Sequence, residues 1–394
     1  MAIAEKGYER MEDNREHTDE LEHIIPDAGR AAAVDAAVVT RIRDLWRCLK
    51  TKDDLLRLVN VALEGLYGEN SSRVTMSQLN RYAYSSIESK RYTTFRIPKK
   101  KKGEYRTIDA PVPMLKYIQR GLNLVFQSVF IPHTAAMGFV PHKSVVDNAR
   151  VHTGQRLVYN IDLKDFFPSI SSGRVYSRLT AKPLSLNKEV ASIITDLCCY
   201  KNAEGESVLP QGAPTSPTIT NMICGQMDRK LTRLAKAYGV KYTRYADDIT
   251  FSGMGNVFSE DGGFVKSMRH IIEEEEHFVI NEAKVRLCHQ GMRQDVTGLS
   301  VNEKSNVSRR YVKQLRTLIH NWEMDGYEVA QAVFAKHYAE TTLKPGVHHI
   351  ENVISGKLMY LKMVKGETDV TYKALLNRFD KLMSQYLNNK IQTI

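Results

Sequence analysis

The sequence predicts an α+β fold in which an antiparallel sheet is preceded and followed by helices, and three stretches carry that prediction. Arg244 to Gly253 (RYADDITFSG) sets strand-like runs, with Val240, Tyr242 and Tyr245 on one side and Ile249 and Phe251 on the other, around the acidic pair Asp247 and Asp248. This is a β-hairpin pattern with both acids at its tip. Val158 to Ile170 (VYNIDLKDFFPSI) reads as an apolar-rich strand that ends in Asp162 and turns through Lys164, Asp165 and Pro168. Met114 to Phe130 places apolar residues at 114, 118, 122, 125 and 129, the spacing of a core helix.

The remaining elements follow in order. Residues 1–32 are polar and are expected to be poorly ordered or partner-dependent, whereas Val34, Val38, Ile42, Leu45 and Leu49 form one face of a helix. Thr51 and Asp54 make a capping-box-like start for a helix bearing Leu55, Leu56, Val59 and Leu63. Phe95 to Pro111 (FRIPKKKKGEYRTIDAP) is a basic hairpin turning near Lys102 and Gly103, with Lys100, Lys101 and Lys102 in a solvated turn. In Leu209 to Ile223, Gln211, Gly212 and Pro214 form a turn that can approach a ligand closely, followed by a helix. Glu273 to Glu276 is expected to be a solvated helix face. From Ser308, Arg309, Lys313 and Arg316 share one helix face opposite Leu315 and Ile319, and the tail continues as amphipathic helices broken near Gly366.

The acids are the chemical centre of this pattern. Two adjacent carboxylates repel and resist desolvation, so a fold either leaves them in water or uses them to hold a cation, and hard oxygens suit Mg²⁺ or Mn²⁺. With Asp162 as a third carboxylate at a strand end, two metal ions roughly 3.5–4 Å apart can be bridged, as phosphoryl transfer in a polymerase requires. Each block alone has a plainer reading: an acidic turn, an ordinary loop, a Phe166–Phe167 pair in the core.

Taken together and in this order, the Asp162, Gln211–Gly212 and Asp247–Asp248 blocks resemble motifs A, B and C of reverse transcriptases. Asn148, Ala149 and His152 before them look like the NAxxH signature of bacterial retron reverse transcriptases, and Val296, Thr297 and Gly298 after them match the VTG of that family. The resemblance begins near Thr51. It implies a right-hand polymerase: residues 1–50 a helical and partly disordered extension, 51–157 the fingers and start of the palm, 158–305 the palm with an antiparallel sheet and the catalytic motifs, and 306–394 a helical, RNA-binding thumb. It also implies RNA-directed DNA synthesis with two Mg²⁺ ions, Mn²⁺ being an alternative, held by Asp162, Asp247 and Asp248.

Further roles come by the same resemblance. Lys99 and Arg106 match the triphosphate-binding pair, Arg106 through its guanidinium fork. Phe167 matches the aromatic that excludes a 2′-hydroxyl, Gln211 a nucleotide contact, and Lys284 the lysine that protonates departing pyrophosphate, although a surface lysine is nearly as good a reading. Asn148 and His152 are expected in RNA recognition or in structure, and Arg309, Lys313 and Arg316 on RNA phosphates. The expected partners are dNTPs, a cognate structured non-coding RNA primed from an internal 2′-hydroxyl, the branched msDNA product, and an effector protein in anti-phage defence. Two rivals are a group II intron-like reverse transcriptase, against which no HNH-like or zinc-finger segment is seen, and a nucleic-acid-binding scaffold of the same fold, against which the carboxylates stand.

Composition agrees. The 394 residues carry 56 Lys+Arg against 45 Asp+Glu, a net charge of +11, as suits a protein that neutralises phosphates. Residues 1–30 hold nine acids and four bases, a local −5 that leaves +16 on the rest, so nucleic acid is expected to meet the later part. No stretch approaches the roughly 18 apolar residues of a membrane span, and the acidic N-terminus lacks signal-peptide character, so a cytoplasmic protein is expected. The five cysteines (Cys48, Cys198, Cys199, Cys224, Cys288) show no metal-ligand spacing, which predicts buried reduced thiols.

Overall fold

A computed structural model describes residues 34–83, 91–98, 103–341 and 348–392. The expectations for residues 1–32, for Lys99 and for Lys100 to Lys102 lie outside these residues. Helices α1 (Ala36–Arg47), α2 (Lys52–Tyr67) and α3 (Met76–Ala83) precede the hairpin β1 (Tyr92–Pro98) and β2 (Tyr105–Pro111) and helix α4 (Pro113–Val129). Next come α5 (Val145–Val151), β3 (Leu157–Asp162), α6 (Ser172–Thr180), α7 (Lys188–Cys198), the short strands β4 (Tyr200–Lys201) and β5 (Ser207–Val208), and α8 (Ser216–Ala237). Strands β6 (Lys241–Tyr245) and β7 (Asp248–Gly253) lead to α9 (Gly263–Arg269), β8 (Arg286–His289), β9 (Asp295–Val296) and β10 (Leu299–Ser300). Three helices, α10 (Arg309–Thr341), α11 (Ile350–Lys365) and α12 (Val370–Gln392), complete the order.

The chain divides into two compact units. The first comprises the described residues of Met1–Pro141 with Leu163–Lys230 and Ile271–Val279. Its core forms where α2 and α4 meet, with Leu55, Leu58, Ile118, Leu122 and Val125 wholly buried. The Thr51–Asp54 capping box is made in both directions and fixes the start of α2. Strands β1 and β2 pair antiparallel from Tyr92↔Pro111 to Pro98↔Tyr105, as the hairpin pattern predicts. Gly212 has φ +140 and approaches β2 so closely that a Cβ would lie 2.9 Å from the Asp109 carbonyl oxygen, while Asp109 N–H donates to the Gln211 carbonyl at 2.8 Å. The Gln211–Gly212 turn is thereby tied to the strand that carries Arg106.

In the same unit the acidic run is not uniformly solvated. Glu276 is 8% exposed, and Lys230 Nζ bonds both Glu275 (2.7 Å) and Glu276 (2.6 Å), because a buried carboxylate needs a partner. The cysteines meet expectation only in part: none is paired in a disulfide and Cys198, Cys199 and Cys224 are buried, but Cys288 is half-buried and Cys48, at the C-terminal cap of amphipathic α1, is exposed.

The second unit comprises His142–Asp162, Leu231–His270 and the described residues of Ile280–Ile394. Its centre is a four-stranded antiparallel sheet in the order β6-β7-β3-β8. One face is an aromatic core in which Tyr242 stacks on Phe251, Phe251 meets Phe264 edge-on and Tyr159 stacks on Phe258. The opposite face, following the period of two, bears Asp162, Asn160 and Val158 on β3 and Asp248, Thr250 and Ser252 on β7. Val158 joins a continuous core with α5, β9, β10 and the three C-terminal helices. There Leu315 and Ile319 are wholly buried and Arg309, Lys313 and Arg316 exposed, the division that the sequence pattern predicts. Helix α10 is two helices joined at Gly326 (φ +77), and α11 ends at Gly366 (φ +88). Among the described residues no helix is long and apolar enough to cross a membrane.

Candidate active site

The hairpin of β6 and β7 closes with the two-residue loop Ala246–Asp247, because the ladder pairs Tyr245 directly with Asp248. Ala246 occupies the left-handed region (φ +57), and the wholly buried Arg244 donates from Nη1 to the Ala246 carbonyl at 3.1 Å. The turn that presents Asp247 and Asp248 is thus held from inside the fold. On the other side of β7, Asp162 is the ladder partner of Asp248. Two carboxylates placed directly opposite in a ladder repel, and a third follows at the tip.

The electrostatics register that crowding. Asp248 lies at the rim of a cavity, and its pKa is pushed up to about 6, first by the burial of its surroundings and then by the charges of Asp247 and Asp162, with Lys284 and Arg286 pulling it back. Asp162 is 8% exposed. Its carboxylate receives Lys284 Nζ at 2.8 and 2.9 Å and Asn281 Nδ2 at 3.2 Å, and its carbonyl accepts from Asn281 N–H at 2.8 Å. Asn281 precedes and Lys284 ends the 3₁₀ turn Glu282–Lys284, which Arg269 grips through a two-pronged bond to Glu282 at 2.6 and 2.8 Å.

The cavity measures about 640 Å³ and lies within this second unit. Asp162, Asp248, Lys284 and Arg286 line one part of it, Asn160 and Thr250 the row behind, and Val145, Thr297 and Gly298 another wall. The pairs Asn160↔Thr250 and Asn160↔Arg286 come from the ladder, and Asn160 Nδ2 donates to Thr250 Oγ1 at 3.2 Å. Sequence reasoning missed Asn160, Thr250 and Arg286 as cavity residues. The signal for the first two was present, since each lies two residues from an acid and so shares its face.

Asn148 and His152 need correction as RNA contacts. They are 1% and 0% exposed, so neither side chain is available to a nucleic acid. His152 instead bridges the root of the β6–β7 hairpin, with Nδ1 2.7 Å from Ser252 Oγ and Nε2 2.7 Å from Thr243 Oγ1. Burial, helped by the charge of Lys241, lowers its pKa to about 3, so the ring is neutral. Asn148 Nδ2 reaches Thr297 Oγ1 at 3.5 Å, and that hydroxyl donates to the Val145 carbonyl at 3.3 Å, which brings the two short signatures together at one end of the cavity.

The other expected site residues fall elsewhere. Arg106 lies on β2 and Gln211 in the turn bonded to that strand. Phe166 is core, packed on Phe278 at 5.5 Å between ring centroids, while Phe167 is half-buried. Arg309, Lys313 and Arg316 lie on α10. Among the described residues no three His, Cys, Asp or Glu side chains converge closely enough to be a ready-made metal centre. The donor chemistry of Asp162, Asp247 and Asp248 nevertheless fits a hard divalent cation, because the carboxylates crowd one another enough to lift a pKa.

The family model for "Reverse transcriptase (RNA-dependent DNA polymerase)" matches residues 97–321. The chain belongs to the reverse transcriptase family, and within it to the retron reverse transcriptases, with the right-hand polymerase fold class expected from the sequence. It is similar to two such enzymes of Myxococcus xanthus: retron Mx65 reverse transcriptase, 37% identical over 242 residues (58% of this chain, 55% of that protein), and retron Mx162 reverse transcriptase, 38% identical over 258 residues (58% and 52%). It is also 32% identical over 313 residues to the Escherichia coli retron Ec73 reverse transcriptase, covering 74% of this chain and 89% of that one. The chain spans about half the length of the two Myxococcus relatives.

Proposed function

We propose that this protein is an RNA-directed DNA polymerase that reverse transcribes its own structured non-coding RNA. The observation that carries the reading is the ladder pairing of Asp162 with Asp248, with Asp247 next to them at the hairpin tip. These three carboxylates would hold two Mg²⁺ ions, or Mn²⁺ in their place. Bound there, the ions supply activation of the attacking hydroxyl and neutralisation of charge on the departing pyrophosphate.

The protein's own residues do the rest. Arg106, with Lys99, grips the triphosphate, Gln211 steadies the nucleotide and Phe167 excludes a 2′-hydroxyl. Lys284 delivers a proton to the leaving pyrophosphate. Arg309, Lys313 and Arg316, exposed on one face of α10, track RNA phosphates as part of a thumb spanning 306–394. Residues 51–157 serve as fingers and start of the palm, and 158–305 as palm. Synthesis starts from an internal 2′-hydroxyl of the RNA and leaves a branched RNA–DNA product, in partnership with an effector protein in the cytoplasm as part of anti-phage defence.

The test is incorporation of dNTPs on a primed RNA by Asp247→Asn and Asp248→Asn. Both are expected to fall to background while remaining folded and RNA-bound, because relieving a repelling cluster does not unfold it. Near wild-type incorporation by both variants rules out this assignment of the carboxylates.

A further inference from the structure

We propose that Lys284 is a built-in counterion of Asp162 that must yield this carboxylate to a divalent cation, so that cation loading and release of Lys284 are one event. The inference rests on the metal-binding reading of Asp162 given above. Lys284 Nζ sits almost equidistant from the two Asp162 oxygens, at 2.8 and 2.9 Å, and so occupies both of the atoms a cation needs. Lys284 and Arg286 set two positive charges against three carboxylates, only Lys284 bonding Asp162, and a divalent ion answers the remaining negative charge better.

The two partners are unequally held. The Lys284 side chain is 55% exposed and that of Asp162 only 11%. The lysine can therefore swing into solvent with little loss, whereas the carboxylate is fixed by its strand, by the ladder to Asp248 and by Asn281. The turn itself does not depend on the lysine. Arg269 clamps Glu282, and Asn281 binds Asp162 through backbone and side chain, so departure of the Lys284 ammonium leaves Asp162 oriented. Once displaced, Lys284 is free to meet the pyrophosphate, which ties proton delivery to prior loading of the site.

The experiment is a Mn²⁺ titration followed by electron paramagnetic resonance on the full chain, free of RNA and nucleotide, at neutral pH. Lys284→Met and Lys284→Gln, two variants so that a folding defect in one does not decide the matter, are expected to bind Mn²⁺ about fivefold more tightly, the scale of an ion pair with one half-exposed partner. Lys284→Arg keeps the cation and is expected to stay near wild type, and Asp162→Asn to bind more weakly. In chelator, the Met variant is expected to melt below wild type and to gain more from added Mg²⁺. Unchanged Mn²⁺ affinity in Met and Gln, with weakening in Asp162→Asn, overturns the counterion role and leaves the metal reading intact. Unchanged affinity in Asp162→Asn overturns both.

Discussion

The tip and the root of the Lys241–Gly253 hairpin carry opposite kinds of polar group, and the same physical cause acts on both. At the tip, burial and neighbouring acids raise the pKa of Asp248 to about 6; at the root, burial lowers that of His152 to about 3. At His152 the removal of water favours the neutral form; at Asp248, whose side chain reaches solvent, crowded surroundings and two neighbouring acids favour it together. The outcomes diverge because of what surrounds each group. His152 meets Ser252 and Thr243, two hydroxyls that satisfy a neutral ring completely, so its neutrality is permanent and structural. Asp248 meets two further carboxylates, whose charges act against its own. One end of the hairpin is finished by folding alone. The other keeps three crowded acids, which the divalent cations of the proposed function would answer.

The comparison breaks most visibly at the root. His152→Ala removes a buried ring and strands two buried hydroxyls, and the expected loss is roughly 2–5 kcal/mol of unfolding free energy. Denaturant melts with an unchanged slope would measure it. A loss below about 1 kcal/mol would mean that the ring merely fills space and that the two strands hold their register without it.

A smaller effect sharpens the contrast through pH. For His152 the folded pKa lies below the unfolded value of 6.5, so its contribution to stability is present above that value and is lost as pH falls toward 3. For Asp248 the folded pKa lies above the unfolded 3.8, so the folded state holds the extra proton between 3.8 and about 6 and loses stability as pH rises through that window. Root and tip therefore pull in opposite directions between pH 4 and 6. In chelator, Asp248→Asn is expected to gain stability with rising pH more steeply than wild type, by on the order of 1 kcal/mol across the window once solvent screening at this rim is allowed for. Parallel stability curves for the two proteins would show that the charge at Asp248 is already relieved by water.

How far the sequence revealed this follows from the range of the interactions. The hairpin, the acid-ending strand, the capping box at Thr51 and the basic stripe from Arg309 to Arg316 are set by turn chemistry and by periods of 2 and 3.6, and all are found in the fold. What the sequence hid lies between distant segments. His152 finds its hydroxyls 91 and 100 positions away, and Lys284 finds Asp162 122 positions away. A short signature such as Asn148 to His152 reads equally as a surface motif or as a core one until burial is known, and here burial decides for the core. Gly212 shows the same limit, since its close approach is to the backbone of Asp109, a neighbour that no local pattern names.

The smallest expected change in stability is at the tip itself, where three terms nearly cancel. Ala246→Gly removes the cost of a left-handed alanine, about 1–2 kcal/mol, but forfeits a buried methyl worth about 0.8 kcal/mol and adds unfolded-state freedom worth about 0.4–1 kcal/mol. The net is expected to stay within about 0.5 kcal/mol of wild type. Function is the more sensitive reading, because a glycine lets Asp247 and Asp248 sample orientations that the Ala246 side chain now forbids, even with the Arg244 bond to the carbonyl of residue 246 kept. DNA synthesis is expected to fall about tenfold while the melting temperature stays level. A melting temperature that drops with the activity would place the fault in packing, and full activity would show that the carboxylates are aimed by the ladder to Asp162 alone, with the turn contributing nothing to their geometry.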